Sequence, residues 1–269
     1  MTTTNAALQN DSLAVGQRGR SFLVDGLSKV PEITIGFWII KIIATTLGEV
    51  GGNAVTLTAD LGYLAGCLIF GVPLIIAAVA QIRAKQFNKY LYWTVIALTT
   101  LAGTTLADFF DRSLGIGYAG GSLSLFALVM LSLAVWYKTL GSVDIGTVTN
   151  SKAEAFYWIT IMFSQTLGTA LGDWMADATP LGYSGSTALI AAVLVILAAL
   201  HYFTKVSRTS LFWAAFILTR PLGATLANSF DKPVEKGSMG ISDYTMTAIF
   251  AVLMVIALVL IPQRAGKKN

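Results

Sequence analysis

"FSQTLGTALGDWMAD", Phe163 to Asp177, sets a glutamine, two threonines, two glycines and two aspartates inside a segment that otherwise reads as bilayer-spanning. Polar and ionisable groups are costly in hydrocarbon, so such residues face a bundle interior or mark a functional place. Similar stretches recur elsewhere in the same chain, and their spacing decides the fold.

The setting is a membrane. Hydrophobic residues make up 55% of the chain, charged residues only 12%, and the mean hydropathy is +0.70. A soluble domain carries about 25% charged residues. Apolar runs at Leu64–Ala80, Leu123–Tyr137, Ala188–Phe203 and Thr245–Ile261 approach or reach spanning length. The net charge of +4 is no nucleic-acid footprint, because the lysines and arginines fall near the ends of apolar segments. Cys67, the single cysteine, excludes an intrachain disulfide and a multi-cysteine metal site. Residues 1 to about 30 are polar and lack the apolar core of a signal peptide, so the first hydrophobic segment is expected to be retained.

An aromatic-Trp pair occurs four times: Phe37-Trp38, Tyr92-Trp93, Tyr157-Trp158 and Phe212-Trp213. The tryptophans are 55, 65 and 55 residues apart. Counting from each, position +10 holds Gly48, Gly103, Gly168 and Gly223, and position +24 holds Gly62, Gly117, Gly182 and Gly237. Position +15 holds Asn53, Asp108, Asp173 and Asn228. Such a frame marks an internal repeat.

Each repeat carries a polar, glycine-containing segment and then an aliphatic one. The expected fold class is therefore an all-α integral membrane protein of eight transmembrane helices, in four parallel two-helix repeats forming two pseudo-symmetric halves. The helices fall near 33–54, 62–82, 90–110, 118–138, 154–176, 183–204, 209–229 and 243–262. The domain plan is a cytoplasmic N-terminal segment at 1–30, a membrane domain at 31–262, and a basic cytoplasmic tail at 263–269. Repeat bounds are 31–89, 90–150, 151–207 and 208–262. Basic residues from Arg18 and Arg20 through Arg83, Lys152 and Arg208 to Lys268 gather on one side, against Arg112, Lys232 and Lys236 on the other. That asymmetry predicts a multi-pass protein of the plasma (inner) membrane with both termini cytoplasmic. The aromatic-Trp pairs then read as belt residues at the cytoplasmic interface.

In the first helix of each repeat, positions +3, +7, +11 and +15 step by four and share a face. Repeat one supplies Lys41, Thr45, Glu49 and Asn53; repeat two supplies Ile96, Thr100, Thr104 and Asp108. Repeat three supplies Ile161, Gln165, Thr169 and Asp173, with Asp177 one turn beyond; repeat four supplies Phe216, Arg220, Ala224 and Asn228. The polar helices are expected inside and the aliphatic ones against lipid. The substrate-binding candidates are Lys41, Thr45, Glu49, Asn53, Thr104, Asp108, Gln165, Thr169, Asp173, Arg220 and Asn228. Glu49, Asp108 and Asp173 are the metal-ligand candidates, since oxygen-rich sites suit hard cations. Three deep acids against Lys41 and Arg220 leave one negative charge. The bland alternative stays open: Lys41 bonds Glu49, Arg220 neutralises Asp108 or Asp173, and the glycines serve packing or supply a bend.

"PEITIGFWIIKIIATTLGEVGGN" (31–53) and its three echoes resemble the bacterial uncharacterised membrane-anchored proteins built from a tandem hydrophobic repeat of unknown function. The block Phe37, Trp38, Lys41, Thr45, Thr46, Gly48, Glu49 carries the resemblance most specifically, and the likeness runs from Pro31 to Ile261. It implies tandem hydrophobic repeats and no particular substrate. Repeat four departs, with Arg220-Pro221 where repeat one has Thr45-Thr46, so four equivalent ligand sites are not expected.

The leading functional expectation is a secondary transporter of a small, divalent cation, proton-coupled through intramembrane carboxylates. The alternatives are an ion channel, or a sensor or structural protein whose buried ion pairs only specify packing. No nucleophile-histidine arrangement points to an enzyme, and no cofactor is called for. The expected partners are the lipid bilayer and a small ion or solute, not nucleic acid; a homo-oligomer stays open.

Overall fold

The computed structural model describes residues 27–267; the segment 1–26, with Arg18 and Arg20, and the last two residues lie outside the described part. Eight α-helices make up the body: α1 Ile35–Asn53, α2 Gly62–Arg83, α3 Lys89–Asp108, α4 Gly117–Leu140, α5 Ser151–Asp177, α6 Gly182–Phe203, α7 Arg208–Asp231 and α8 Asp243–Leu260. Every predicted helix is present, with ends within three residues of expectation. Seven are long and apolar enough to cross a membrane; α5, which carries the opening stretch, is the polar eighth. A strand β1 (Leu27–Pro31) pairs antiparallel with β2 (Ala265–Lys267), so both ends of the helical body lie on one side. No periodicity announced these strands. They fall at the end of the expected N-terminal segment, reaching one residue into the membrane domain, and in the expected basic tail.

The odd helices begin on side-chain caps: Thr34, Asn88, Asn150 and Ser207 each accept a bond from a first-turn N–H. The even helices α2, α4 and α6 have no such cap and open on Gly62, Gly117 and Gly182, whose φ values are +75°, +75° and +61°. That left-handed turn is what the +24 glycine provides; Gly237, at φ +78°, closes the short turn Val234–Lys236 in the last segment.

Helices α1, α3, α5 and α7 pack in a closed ring, each against its two neighbours, α7 returning to α1. They run parallel, since contacts advance together along both partners: Phe37 meets Trp93, and further on Thr104 donates to the Gly48 carbonyl. Each even helix packs mainly on the odd helix of the following segment: α2 on α3, α4 on α5, α6 on α7, and α8 back on α1. The spans of α1, α3 and α7 are 61–67% buried, those of the even helices only 6–33%. The polar helices are inside, as their composition requires.

The +10 glycines are where the ring closes tightly. A Cβ at Gly48 would overlap Thr100, and one at Gly168 would overlap Arg220; Gly223 stands equally close to Thr45, and Gly103 lies against Gln165. In all four pairs a +10 glycine meets the +7 residue of the next segment. Glycine here lets backbones approach. Of the two roles expected of them, these contacts show packing. The phase of the stripe changes at π-helical turns, Ala54–Thr58 and Phe109–Ser113, each starting after a +15 residue.

The belt expectation for the aromatic pairs is overturned. Seven of the eight rings are buried, and Trp38 is half-buried. Phe37 packs on Trp93, Tyr92 on Trp158, Tyr157 on Trp213 and Phe212 on Trp38. The rings close the strand end of the inner bundle, and the hydroxyls of Tyr92 and Tyr157 meet at 2.5 Å. Four large rings at one level of four adjacent helices bury more apolar area against each other than at an interface. Lys29 of β1 completes this end, 2.5 Å from the buried Glu154 at the start of α5.

Candidate functional site: a charged axis inside the helix ring

All eleven predicted site residues lie on the four inner helices and are at most 4% exposed. The stripe is therefore one continuous interior feature. Its internal partners differ from expectation.

Arg220 leaves α7 at the +7 level and reaches the other three inner helices. Its guanidinium lies 3.0 Å from Glu49 Oε2 on α1 and donates to Thr104 Oγ1 on α3 and Thr169 Oγ1 on α5, both at 2.6 Å. A further bond of 3.4 Å goes to the Thr45 carbonyl. Glu49, Thr104 and Thr169 are the +11 residues of the first three segments; in the fourth, Ala224 leaves room at that level. The guanidinium's planar fork of donors suits such a multi-point junction. The packing alternative set Arg220 against Asp108 or Asp173, and Lys41 against Glu49. The reach of the long Arg side chain, and the Gly168 backbone under its stem, direct it to Glu49 instead.

The threonines anchor the ring as well as the charge. Thr104 Oγ1 donates to the Gly48 carbonyl at 2.9 Å, Thr100 Oγ1 to the Ala44 carbonyl at 3.1 Å, and Thr45 Oγ1 to the Thr219 carbonyl at 3.2 Å. Asn53 Nδ2 contacts Glu49 Oε1 at 3.5 Å, within its own helix.

At the other end of the stripe, Arg112 bridges two carboxylates. Its Nε is 3.2 Å from Asp108 and its terminal nitrogen 3.3 Å from Asp173, which also accepts from Asn228 Nδ2 at 3.3 Å. Arg112 was assigned to the side opposite most of the basic residues, and it stands there, away from the strand end. It sits in the π-helical turn after α3, which lets it fold back over Asp108, and its side chain is 34% exposed. A signal was available, because the four-residue step continues to +19, where Leu57, Arg112, Asp177 and Lys232 stand. With Arg112 included, three acids (Glu49, Asp108, Asp173) face three bases (Lys41, Arg112, Arg220), and the expected excess of negative charge is gone.

Just past α7, Lys232 approaches Asp231 at 3.8 Å. Burial works against its charge, but Asp231, Glu49, Asp173 and Asp243 outweigh that and raise its pKa. Tyr183 and Tyr118 donate to Asp177 at 2.6 and 3.3 Å, and Tyr63 accepts from Arg112 at 3.1 Å.

The metal-ligand candidates are not drawn together. Glu49 is bound to Arg220, while Asp108 and Asp173 share Arg112. Among the described residues no group of three or more His, Cys, Asp or Glu side chains is placed to hold a metal ion. Two predicted residues have no polar partner at all: Lys41 Nζ lies 4.0 Å over the Phe216 ring, and both amide atoms of Gln165 are unbonded. A separate apolar groove of about 520 Å³ runs between α4, α5 and α7, lined by Phe126, Met130 and Trp174 among others. It holds none of the stripe candidates.

Four stretches of the chain, 36–87, 91–141, 156–207 and 211–262, match one family model, described as a Repeat of Unknown Function (DUF347). Together they cover well over half of the 269 residues. No curated protein and no solved structure matches the chain.

Proposed function

Since the chain belongs to the family defined by that repeat, we propose that it is a structural or sensory component of the membrane, whose buried ion pairs specify the packing of its core. One observation carries this reading: Arg220 joins Glu49, Thr104 and Thr169, so a single guanidinium ties all four inner helices. Polar groups that specify a unique arrangement are the best-attested use of buried charge. Carboxylates already matched to arginines are poor receptors for a further cation.

In this reading the four segments are parallel two-helix repeats that pair into two pseudo-symmetric halves. The ring of contacts, with four +10 glycines against four +7 residues, supports it. The protein sits in the plasma (inner) membrane with both termini cytoplasmic, on the strength of the basic residues at the strand end. It is not an enzyme, and nothing in the axis assigns it a cofactor.

A proton-coupled cation carrier is the second reading. What favours it is an axis closed by aromatic rings at the strand end but reached, at the other, by the one-third exposed Arg112. Sealed proteoliposomes with a lumenal pH dye and a panel of monovalent and divalent cations separate the two. The packing reading expects no ion-dependent proton movement above that of protein-free vesicles. Saturable movement lost in Asp173→Asn and Glu49→Gln would overturn it and install the carrier, with the stripe as its site.

A further inference from the structure

One level of the axis carries polar atoms that the protein leaves without partners. Lys41 Nζ, Gln165 Nε2 and Oε1, and Arg220 Nε are all buried and unbonded. All three residues are 0% exposed. They come from three different inner helices, α1, α5 and α7, and by register stand at +3, +7 and +7, one helical turn apart at most. Lys41 Nζ lies over Phe216, one turn before Arg220 on α7. Gln165 is one turn before Thr169, the residue that accepts from Arg220. It also occupies in its segment the +7 position that Arg220 occupies in the fourth, each against the +10 glycine of the preceding helix. The two side chains thus leave equivalent places on the ring.

Three of the four unbonded atoms are donors, and the charges there do not balance. Arg220 is matched by Glu49, but among the described residues no carboxylate meets Lys41, whose Nζ faces only the Phe216 ring. A buried donor left unpaired costs about 1–3 kcal/mol, more when charged. The level is closed toward the strand end by Ile96, Ile161 and Phe216, all 0% exposed, and then by the aromatic rings.

We propose that this level binds a small monovalent anion, held by Lys41 Nζ, Gln165 Nε2 and Arg220 Nε, whose charge balances Lys41. The ligand class that fits three donors with no solvent access is a halide or a planar oxyanion of a few atoms, stripped of its water. The site shares Arg220 with the packing junction: the terminal nitrogens serve Glu49, Thr104, Thr169 and the Thr45 carbonyl, and Nε is the nitrogen left unbonded.

The test uses the full chain in detergent micelles. Its melting temperature is read from tryptophan fluorescence in sodium gluconate, then with gluconate replaced stepwise by chloride, nitrate or formate at constant ionic strength and pH. Binding to the folded state alone raises Tm with free anion as RT ln(1 + [L]/Kd). The expected result is a saturable rise with at least one small anion, absent in Lys41→Met, whose Tm in gluconate is no lower than that of the wild type. Gln165→Leu keeps the cation but loses the amide donor, and shifts the saturation midpoint about tenfold to higher anion. A wild-type Tm indifferent to all three anions overturns the proposal. So does a Lys41→Met protein that responds as the wild type does. Should Lys41→Met fail to fold, an unshifted midpoint in Gln165→Leu overturns it alone. None of these outcomes bears on cation flux, which tests the proposed function separately.

Discussion

Arg220 and Glu49 meet at 3.0 Å across the α7–α1 contact, and neither side chain has access to solvent beyond 3%. Removing one partner leaves the other charge buried alone, whereas removing both leaves only a packing problem. Arg220→Met is therefore expected to destabilise the folded state by about 3–5 kcal/mol, and the double variant Glu49→Gln/Arg220→Met by clearly less. A double-mutant cycle from denaturant unfolding in micelles reads the difference. Additive single effects would show that the pair does not hold the ring together.

Glycines divide by position. Gly48→Ala puts a methyl group into Thr100 and should cost about 1–3 kcal/mol through overpacking and a displaced α1–α3 contact. Gly71, on lipid-facing α2, has nothing within 4 Å of an added Cβ. Gly71→Ala should be neutral or stabilising by up to about 1 kcal/mol. Thermal unfolding of both single variants checks the contrast.

The Tyr92–Tyr157 hydroxyl pair is buried at the strand end. Tyr157→Phe strands the Tyr92 hydroxyl and should cost about 1–3 kcal/mol, while Tyr92→Phe/Tyr157→Phe should recover most of it. Phe37 and Phe212 already fill the same position in the other two segments, so the ring tolerates phenylalanine there. A double variant worse than Tyr157→Phe would contradict the account.

Arg112 touches Asp108 through Nε and Asp173 through a terminal nitrogen. Lysine keeps the charge but offers a single point of contact, so Arg112→Lys can satisfy only one carboxylate well. A loss of about 1–3 kcal/mol is expected for the hydrogen bond to a charged group that goes unmade. Unfolding of Arg112→Lys beside Arg112→Lys/Asp108→Asn checks it, because removing one acid should narrow the gap.

Sequence alone determined the number, order and approximate ends of the helices, and which of them are inside. Those properties follow from local quantities: length, hydropathy and the spacing of polar residues along one helix. The four-residue step found all eleven axial residues, since a shared helix face is readable from one strand of text. The step was carried to Asp177 in the third segment but not to the matching Arg112 in the second; that Arg112 folds back over Asp108 depends on the π-helical turn after α3, which the spacing does not announce. Two sets of glycines looked alike, yet +24 serves a left-handed turn and +10 a close backbone approach. Only the neighbouring helix distinguishes them. The aromatic-Trp pairs were misplaced at the lipid interface for the same reason: whether a ring faces lipid or four other rings depends on what stands beside it. Tertiary structure decided which charge meets which. Glu49 pairs with Arg220, 171 residues away, because ring closure brings α7 back to α1, and a contact between helices that far apart is a property of the assembled ring, not of either segment.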